Sequence, residues 1–183
     1  MNIEHPVISV DLVLDRQTTR DALRAVLHAI LFHRLFGNIK PMTFQLLDVT
    51  MPGVDDEDIK QLVDAKVGVF WKAMEGGPHK RGQITITFSE KRPRKTWFII
   101  DGEEEVTWEQ WNINAEIQQP VNEKQRRAFE TELASTLTKT LKMLLTHTSS
   151  ESGRDAVPLI TNSLGISPFP YKMVVKVGGS EIG

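Results

Sequence analysis

The chain has no cysteine. Disulfides, thiol nucleophiles and Cys-ligated zinc or iron–sulfur centres are therefore excluded together, and a reducing compartment suits such a chain. Net charge is also scarce, −2 over 183 residues, so no whole-molecule field draws it to nucleic acid or an anionic membrane. No apolar run approaches the roughly 20 residues that a membrane-spanning helix needs. Met1-Asn2-Ile3-Glu4-His5-Pro6 shows no basic segment leading into an apolar one, so no secretory signal is read there. Repeats and low-complexity tracts are missing. What remains is 40% hydrophobic and 25% charged, the balance of one ordinary soluble domain that buries a core without disulfides or metal.

Apolar periodicity divides that domain. Ile8, Val10, Leu12 and Leu14 alternate and predict a half-buried strand over 7–14. From Thr19 to about Phe36 the apolar residues recur at helical spacing on a wide face, with Asp15–Thr18 as the cap and Gly37-Asn38 as the stop. Residues 43–51 read as a second strand, turned by Pro52-Gly53. Asp55-Asp56-Glu57-Asp58 opens a second helix, closed by Gly76-Gly77-Pro78. Ile84, Ile86 and Phe88 mark a strand over 83–90. Trp111, Ile113, Ala115 and Ile117 mark another over 108–118, with Trp108 out of phase as at a bulge or a strand end. Pro120-Val121-Asn122 opens the longest helix, to about Leu145, with a stripe of Phe129, Leu133, Leu137, Leu141 and Leu144. Residues 146–155 read as polar and flexible. Short strands are expected around Pro158-Leu159-Ile160 and over 171–177, and 178–183 as a frayed tail. This order predicts an α+β domain with an antiparallel sheet packed against three helices.

Familiar chemistry is hard to find. His28 and His33 lie five apart on one helix, whereas a helical metal pair wants i, i+4 spacing with a Glu between. His28 therefore reads as a packed helix residue, and no metal or cofactor is expected. An enzyme built on the His28–His33 helix would need a pocket of perturbed titratable groups there. His5, His79 and His147 suggest no cluster. Gly76-Gly77 follows a helix instead of opening one, so it cradles no phosphate, and G-x-S-x-G is absent. Asp55–Asp58 lacks EF-hand spacing. No catalytic residue is assigned.

One feature resists the bland reading. Trp97-Phe98 stands between Lys91-Arg92-Pro93-Arg94-Lys95 and Glu103-Glu104-Glu105. Burying an aromatic ring stabilises by about 1.5–3 kcal/mol, yet these rings are flanked by runs that favour water. Either Thr96–Ile100 is a strand paired with Ile84–Phe88, or the rings are anchors for a partner. The basic run beside Trp97 also allows a stacking platform for single-stranded nucleic acid.

Three segments in order resemble the autophagy-related protein 101 family, a HORMA-domain component of the autophagy-initiation kinase complex. They are Ala25–Arg34, with its A-V-L-H and H-R elements; Gly82–Phe88; and Trp97-Phe98 followed by Trp108-Glu109-Gln110-Trp111, a W-F pair and a W-E-x-W element. Pro170-Tyr171-Lys172 adds a weaker match. The resemblance implies a single HORMA domain over 1–177, with 178–183 as its flexible tail. It implies a non-enzymatic scaffold that pairs with the HORMA domain of autophagy-related protein 13, stabilises it, and recruits downstream factors through a finger at Trp97 and Phe98. Some members place a Pro between the two aromatics, which are adjacent here. The family resembles the untrapped HORMA form, so no peptide ligand is expected under the C-terminal segment. Candidate partner-interface residues are His33 and Arg34 at the end of the first helix and Lys124, Arg127 and Lys139 on the long one. The implied location is cytoplasmic, at the pre-autophagosomal structure.

Overall fold

The structure, a computed structural model, describes residues 4–95, 100–162 and 165–183. Its elements are β1 (Val7–Leu14), α1 (Thr19–Arg34), β2 (Pro41–Leu46), β3 (Val49–Val54), α2 (Glu57–Gly76), β4 (Arg81–Lys95), β5 (Ile100–Ile117), α3 (Glu123–Ser149), α4 (Glu151–Asp155), β6 (Tyr171–Val177) and β7 (Ser180–Glu181). The arrangement is α+β. A five-stranded sheet runs in the order β1-β5-β4-β6-β7, and β2 and β3 form a separate hairpin.

Alternation along the strands sends Val10, Leu12, Leu14, Ile84, Ile86, Phe88, Trp111, Ile113, Met173 and Val175 into the core beneath the helices. The opposite face is polar, with Asp11, Asn114, Gln83, Thr85 and Asn112 joined by side-chain hydrogen bonds. Helix α1 is buried along most of its length, because the β2–β3 hairpin covers the side turned away from the sheet. Gly53 allows that approach: a Cβ there would stand 2.5 Å from the Phe44 ring and 3.2 Å from His28 Cβ. The N-termini of α2 and α3 are capped by Asp56, which accepts from Ile59 N–H (3.0 Å), and by Asn122, which accepts from Gln125 N–H (2.9 Å).

Several expectations need correction. The sheet is antiparallel except that β1 lies parallel to β5. Beside the three long helices stands a fourth short one, α4, in the polar stretch expected to be flexible. Ser150 makes the joint, since its Oγ accepts from Gly153 N–H at 3.0 Å. The expected strand 43–51 is a hairpin that turns at Leu47-Asp48, both at positive φ (48° and 63°), and Pro52-Gly53 lies inside β3. Helix α1 stops at Arg34, before Gly37, as Phe36 enters the left-handed region at φ 58°. No strand forms around Pro158-Leu159-Ile160. Residues 178–183, expected to fray, turn back as β7, with Val175 N–H donating to Gly183 O at 2.6 Å.

Candidate functional site: a charged ribbon and its root

Strands β4 and β5 extend far past their neighbours. Pairing of β6 with β4 ends at Tyr171↔Phe88, and pairing of β1 with β5 begins at Val7↔Gln110. From Ser89 to Lys95 and from Ile100 to Thr107 the two arms thus form a ribbon with no third strand among the described residues. Its register explains how so charged a sequence forms a strand: Lys91 faces Glu105, Arg92 faces Glu104, and Pro93 faces Glu103. Opposite charges directly across an antiparallel pair stabilise it by roughly 0.2–1 kcal/mol each. Arg92 also pairs with Glu90 along its own arm. Lys91–Arg94 and Gly102–Glu105 are exposed.

The ribbon's root is buried and polar. Register shifts between Phe88 and Ser89 so that Phe88 faces Glu109 and Ser89 faces Thr107, leaving Trp108 as the extra residue of a bulge. Of the two readings its phase allowed, a bulge or a strand end, the structure shows the bulge, inside β5. It turns Trp108 inward, where its Nε1–H donates to Ser89 O (3.2 Å) and its ring meets Phe88 (5.4 Å) and Phe169 (5.5 Å). Glu109 beside it is 0% exposed. Its carboxylate accepts from Arg34 Nε and Nη2 (both 2.8 Å) and Trp111 Nε1 (2.8 Å), and lies 2.6 Å from His147 Nε2. Arg34 Nη2 donates as well to Gly153 O (2.9 Å), and its guanidinium sits 5.6 Å from the Trp108 ring centre. Gly153 is required there, because a Cβ would fall 1.8 Å from His147 O. With its oxygens engaged by three donated hydrogen bonds and the His147 contact, Glu109 has little capacity left for acid–base work. It ties α1, β5, α3 and α4 together at the foot of the ribbon.

The sequence-derived candidates divide accordingly. Trp97 and Phe98 lie outside the described residues; in sequence they fall between Lys95 and Ile100, which pair with each other. The alternative strand pairing of 96–100 with Ile84–Phe88 is overturned, since Ile84–Phe88 is paired with β5 and β6 on its two sides. Arg34, expected at an interface, is a correction: it is 2% exposed and committed to Glu109. His33 is half-buried and its Nδ1 bonds Ala29 O (2.8 Å); burial holds its pKa below the usual imidazole value. Lys124, Arg127 and Lys139 are exposed on α3, Arg127 lying 3.5 Å from Glu123 one turn back. His28 is packed as expected, 1% exposed, with Nδ1 accepting from Val54 N–H at 3.2 Å. His147 was missed: nothing local separates it from a solvated helix end, and the carboxylate it meets lies 38 residues away in sequence. No three His, Asp or Glu side chains converge on a metal-binding geometry among the described residues.

Comparison with known sequences gives these positions a context. The sequence model of the autophagy-related protein 101 family matches residues 11–164. Over 104 residues the chain is 35% identical to autophagy-related protein 101 of Arabidopsis thaliana, covering 55% of this chain and 47% of that protein. Over 127 residues it is 25% identical to the Schizosaccharomyces pombe protein of the same name, covering 69% and 68%. The Xenopus tropicalis protein is 26% identical over 143 residues, covering 69% and 63%. The match thus spans about half the length of the Arabidopsis relative.

Proposed function

This chain belongs to the autophagy-related protein 101 family, and we propose that it is a non-enzymatic scaffold of autophagy initiation with a HORMA fold. Family membership supports the autophagy-related role. In this reading the domain pairs with the HORMA domain of autophagy-related protein 13 in the cytoplasm, at the pre-autophagosomal structure, and stabilises it. Trp97 and Phe98 then recruit a further factor. His33, Lys124, Arg127 and Lys139 remain candidates for the partner surface.

The observation that supports this reading is the ribbon. A long hairpin with no third strand among the described residues buries little of its own backbone, and here its charged arms lead to the two rings in sequence. Its root is fixed by Arg34 and Glu109, which belong to two of the segments that carry the family resemblance, the H-R end of α1 and the W-E-x-W run of β5. The single-strand nucleic-acid reading loses ground on the same observation. Lys91 and Arg92 each stand opposite a glutamate, so the basic run presents no uniform positive face to a phosphate backbone.

The test is the double substitution Trp97→Ala with Phe98→Ala. Surface changes away from packed features usually stay within about 0.5 kcal/mol, so the variant should melt close to the parent. It should also hold the HORMA domain of autophagy-related protein 13 in a pull-down and fail to recruit the downstream factor. A loss of several kcal/mol in chemical denaturation would mean that the rings are core. Retained recruitment would mean that they are not the anchor.

A further inference from the structure

The five-stranded sheet treats its two edges differently. At one edge β7 folds back over β6, and Val175 exchanges hydrogen bonds with Gly183 (2.6 Å) and Ile182 (2.8 Å). At the other, β1 pairs with β5 and with no other strand among the described residues. Gln110 N–H donates to Pro6 O (3.0 Å) and Gln118 N–H to Leu14 O (2.8 Å). The even-numbered residues of β1 therefore turn their backbone groups toward β5, and Val7, Ser9, Asp11 and Val13 turn theirs outward. No strand among the described residues meets them. Of the usual guards of an open edge, β1 has only the charged Asp11 and the neighbouring α3; it is eight residues long and carries no lysine, proline or bulge. Beside it runs a groove of about 480 Å³, bounded by Asp11 and Val13 on one side and by Ala128, Phe129 and Leu133 of α3 on the other.

The side chains along this edge identify the occupant. Val7, Ser9, Asp11 and Val13 are all exposed, the two valines at 54% and 40%. Read outward from Val10, the order is polar then apolar in both directions. We infer that β1 is a homotypic docking strand that pairs antiparallel with β1 of a second copy about a two-fold axis at Val10. In that register Ser9 faces Asp11 of the other copy and Val7 faces Val13, each twice. The serine hydroxyl donates to the carboxylate, the valines cover each other, and each opposed pair exchanges both backbone hydrogen bonds. A shift by two residues in partner number sets Asp11 against Asp11 or Val7 against Asp11, each unfavourable. The edge is therefore complementary to itself in one register, an isologous contact that closes as a dimer. The second copy meets a part of the molecule different from the ribbon, so this inference stands apart from the recruitment reading.

Sedimentation equilibrium on the full chain with two substitutions at one site tests it. Ser9→Lys places a cation against Asp11 of the other copy twice and should tighten the dimer roughly tenfold; Ser9→Asp places like charges there and should weaken it by a similar factor. General destabilisation cannot move the two variants in opposite directions. Because the chain has no cysteine, register is read directly. Ser9→Cys and Asp11→Cys proteins, mixed and mildly oxidised, should cross-link across a Cα separation of about 5.5 Å, while neither cross-links alone. A chain monomeric at its highest soluble concentration, charge variants that shift together, or cross-linking of Ser9→Cys with itself would each overturn the proposal.

Discussion

At the scale of single residues, His28 shows what burial does to a titratable group. Its ring is packed 4.7 Å from Phe44, and Nδ1 accepts the Val54 N–H, so that nitrogen must be unprotonated. Burial lowers its pKa from 6.5 to about 4; Arg24 and Lys60 add to the effect and Asp64 opposes it. The folded pKa lies below the unfolded one, so between them the unfolded chain binds more protons and stability rises with pH. The contribution is complete above pH ~6.5 and is lost as pH falls toward ~4, by of order 3 kcal/mol over the window. His33, shifted in the same direction by burial, adds to the slope. Urea midpoints measured from pH 7 to pH 4.5 should fall steeply for the parent and less steeply for His28→Gln, which keeps an acceptor and cannot charge. Parallel curves for the two proteins would show that His28 does not carry this pH dependence.

Among elements, Glu109 is the tie. It sits on β5 and holds Arg34 of α1 and His147 of α3, while Arg34 also holds Gly153 of α4. Removing one partner of a buried ion pair strands the other charge, which typically costs about 3–5 kcal/mol. Glu109→Gln should lower the melting temperature by roughly 10 °C or more at this chain length. The double change Arg34→Met with Glu109→Leu should cost less than the single, because no uncompensated charge is left. A Glu109→Gln loss under about 1 kcal/mol would show that the pair is not the tie described here. None of this was legible in the sequence, where Arg34 looked like an exposed helix end. A contact spanning 75 residues leaves no local periodicity, whereas period-two alternation gave β1, β6 and the inner halves of β4 and β5, and period 3.6 gave the three long helices. The bulge at Trp108 was legible because one aromatic broke phase. The Leu47-Asp48 turn was not, because Leu47 carries none of the Gly, Asn or Asp signal that positive φ usually demands and Asp48 alone is a weak one. The charged arms looked like a loop because their merit, base opposite acid, exists only once the strands are paired.

Over the whole molecule, stability should be graded along β4 and β5, and the grading follows from who stands beside each residue. From Gly82 to Phe88, β4 is paired on both sides, by β5 and by β6, and its inward side chains Ile84, Ile86 and Phe88 are fully buried. Past Ser89 each arm has, among the described residues, only the other as a strand partner, Lys91–Arg94 are exposed, and the opposed charges there add only tenths of a kcal/mol each. A two-stranded ribbon without a core face is marginal in water by itself, so its amides can open without unfolding the sheet. Amide hydrogen exchange should therefore rank Ile84–Phe88 and Trp111–Ala115 near the global limit and Lys91–Lys95 and Gly102–Glu105 orders of magnitude faster, with the step falling at the Ser89–Trp108 bulge. The network at Glu109 sets that step, since it clamps the root to three helices while the arms beyond it have no comparable tie among the described residues. Glu109→Gln should move fast exchange inward across the bulge, to Phe88 and Gln110, before the centre of β4 changes. If the outer arms are protected as strongly as Ile84–Phe88, the ribbon is held by something other than its own two strands, and its independence from the rest of the sheet is wrong.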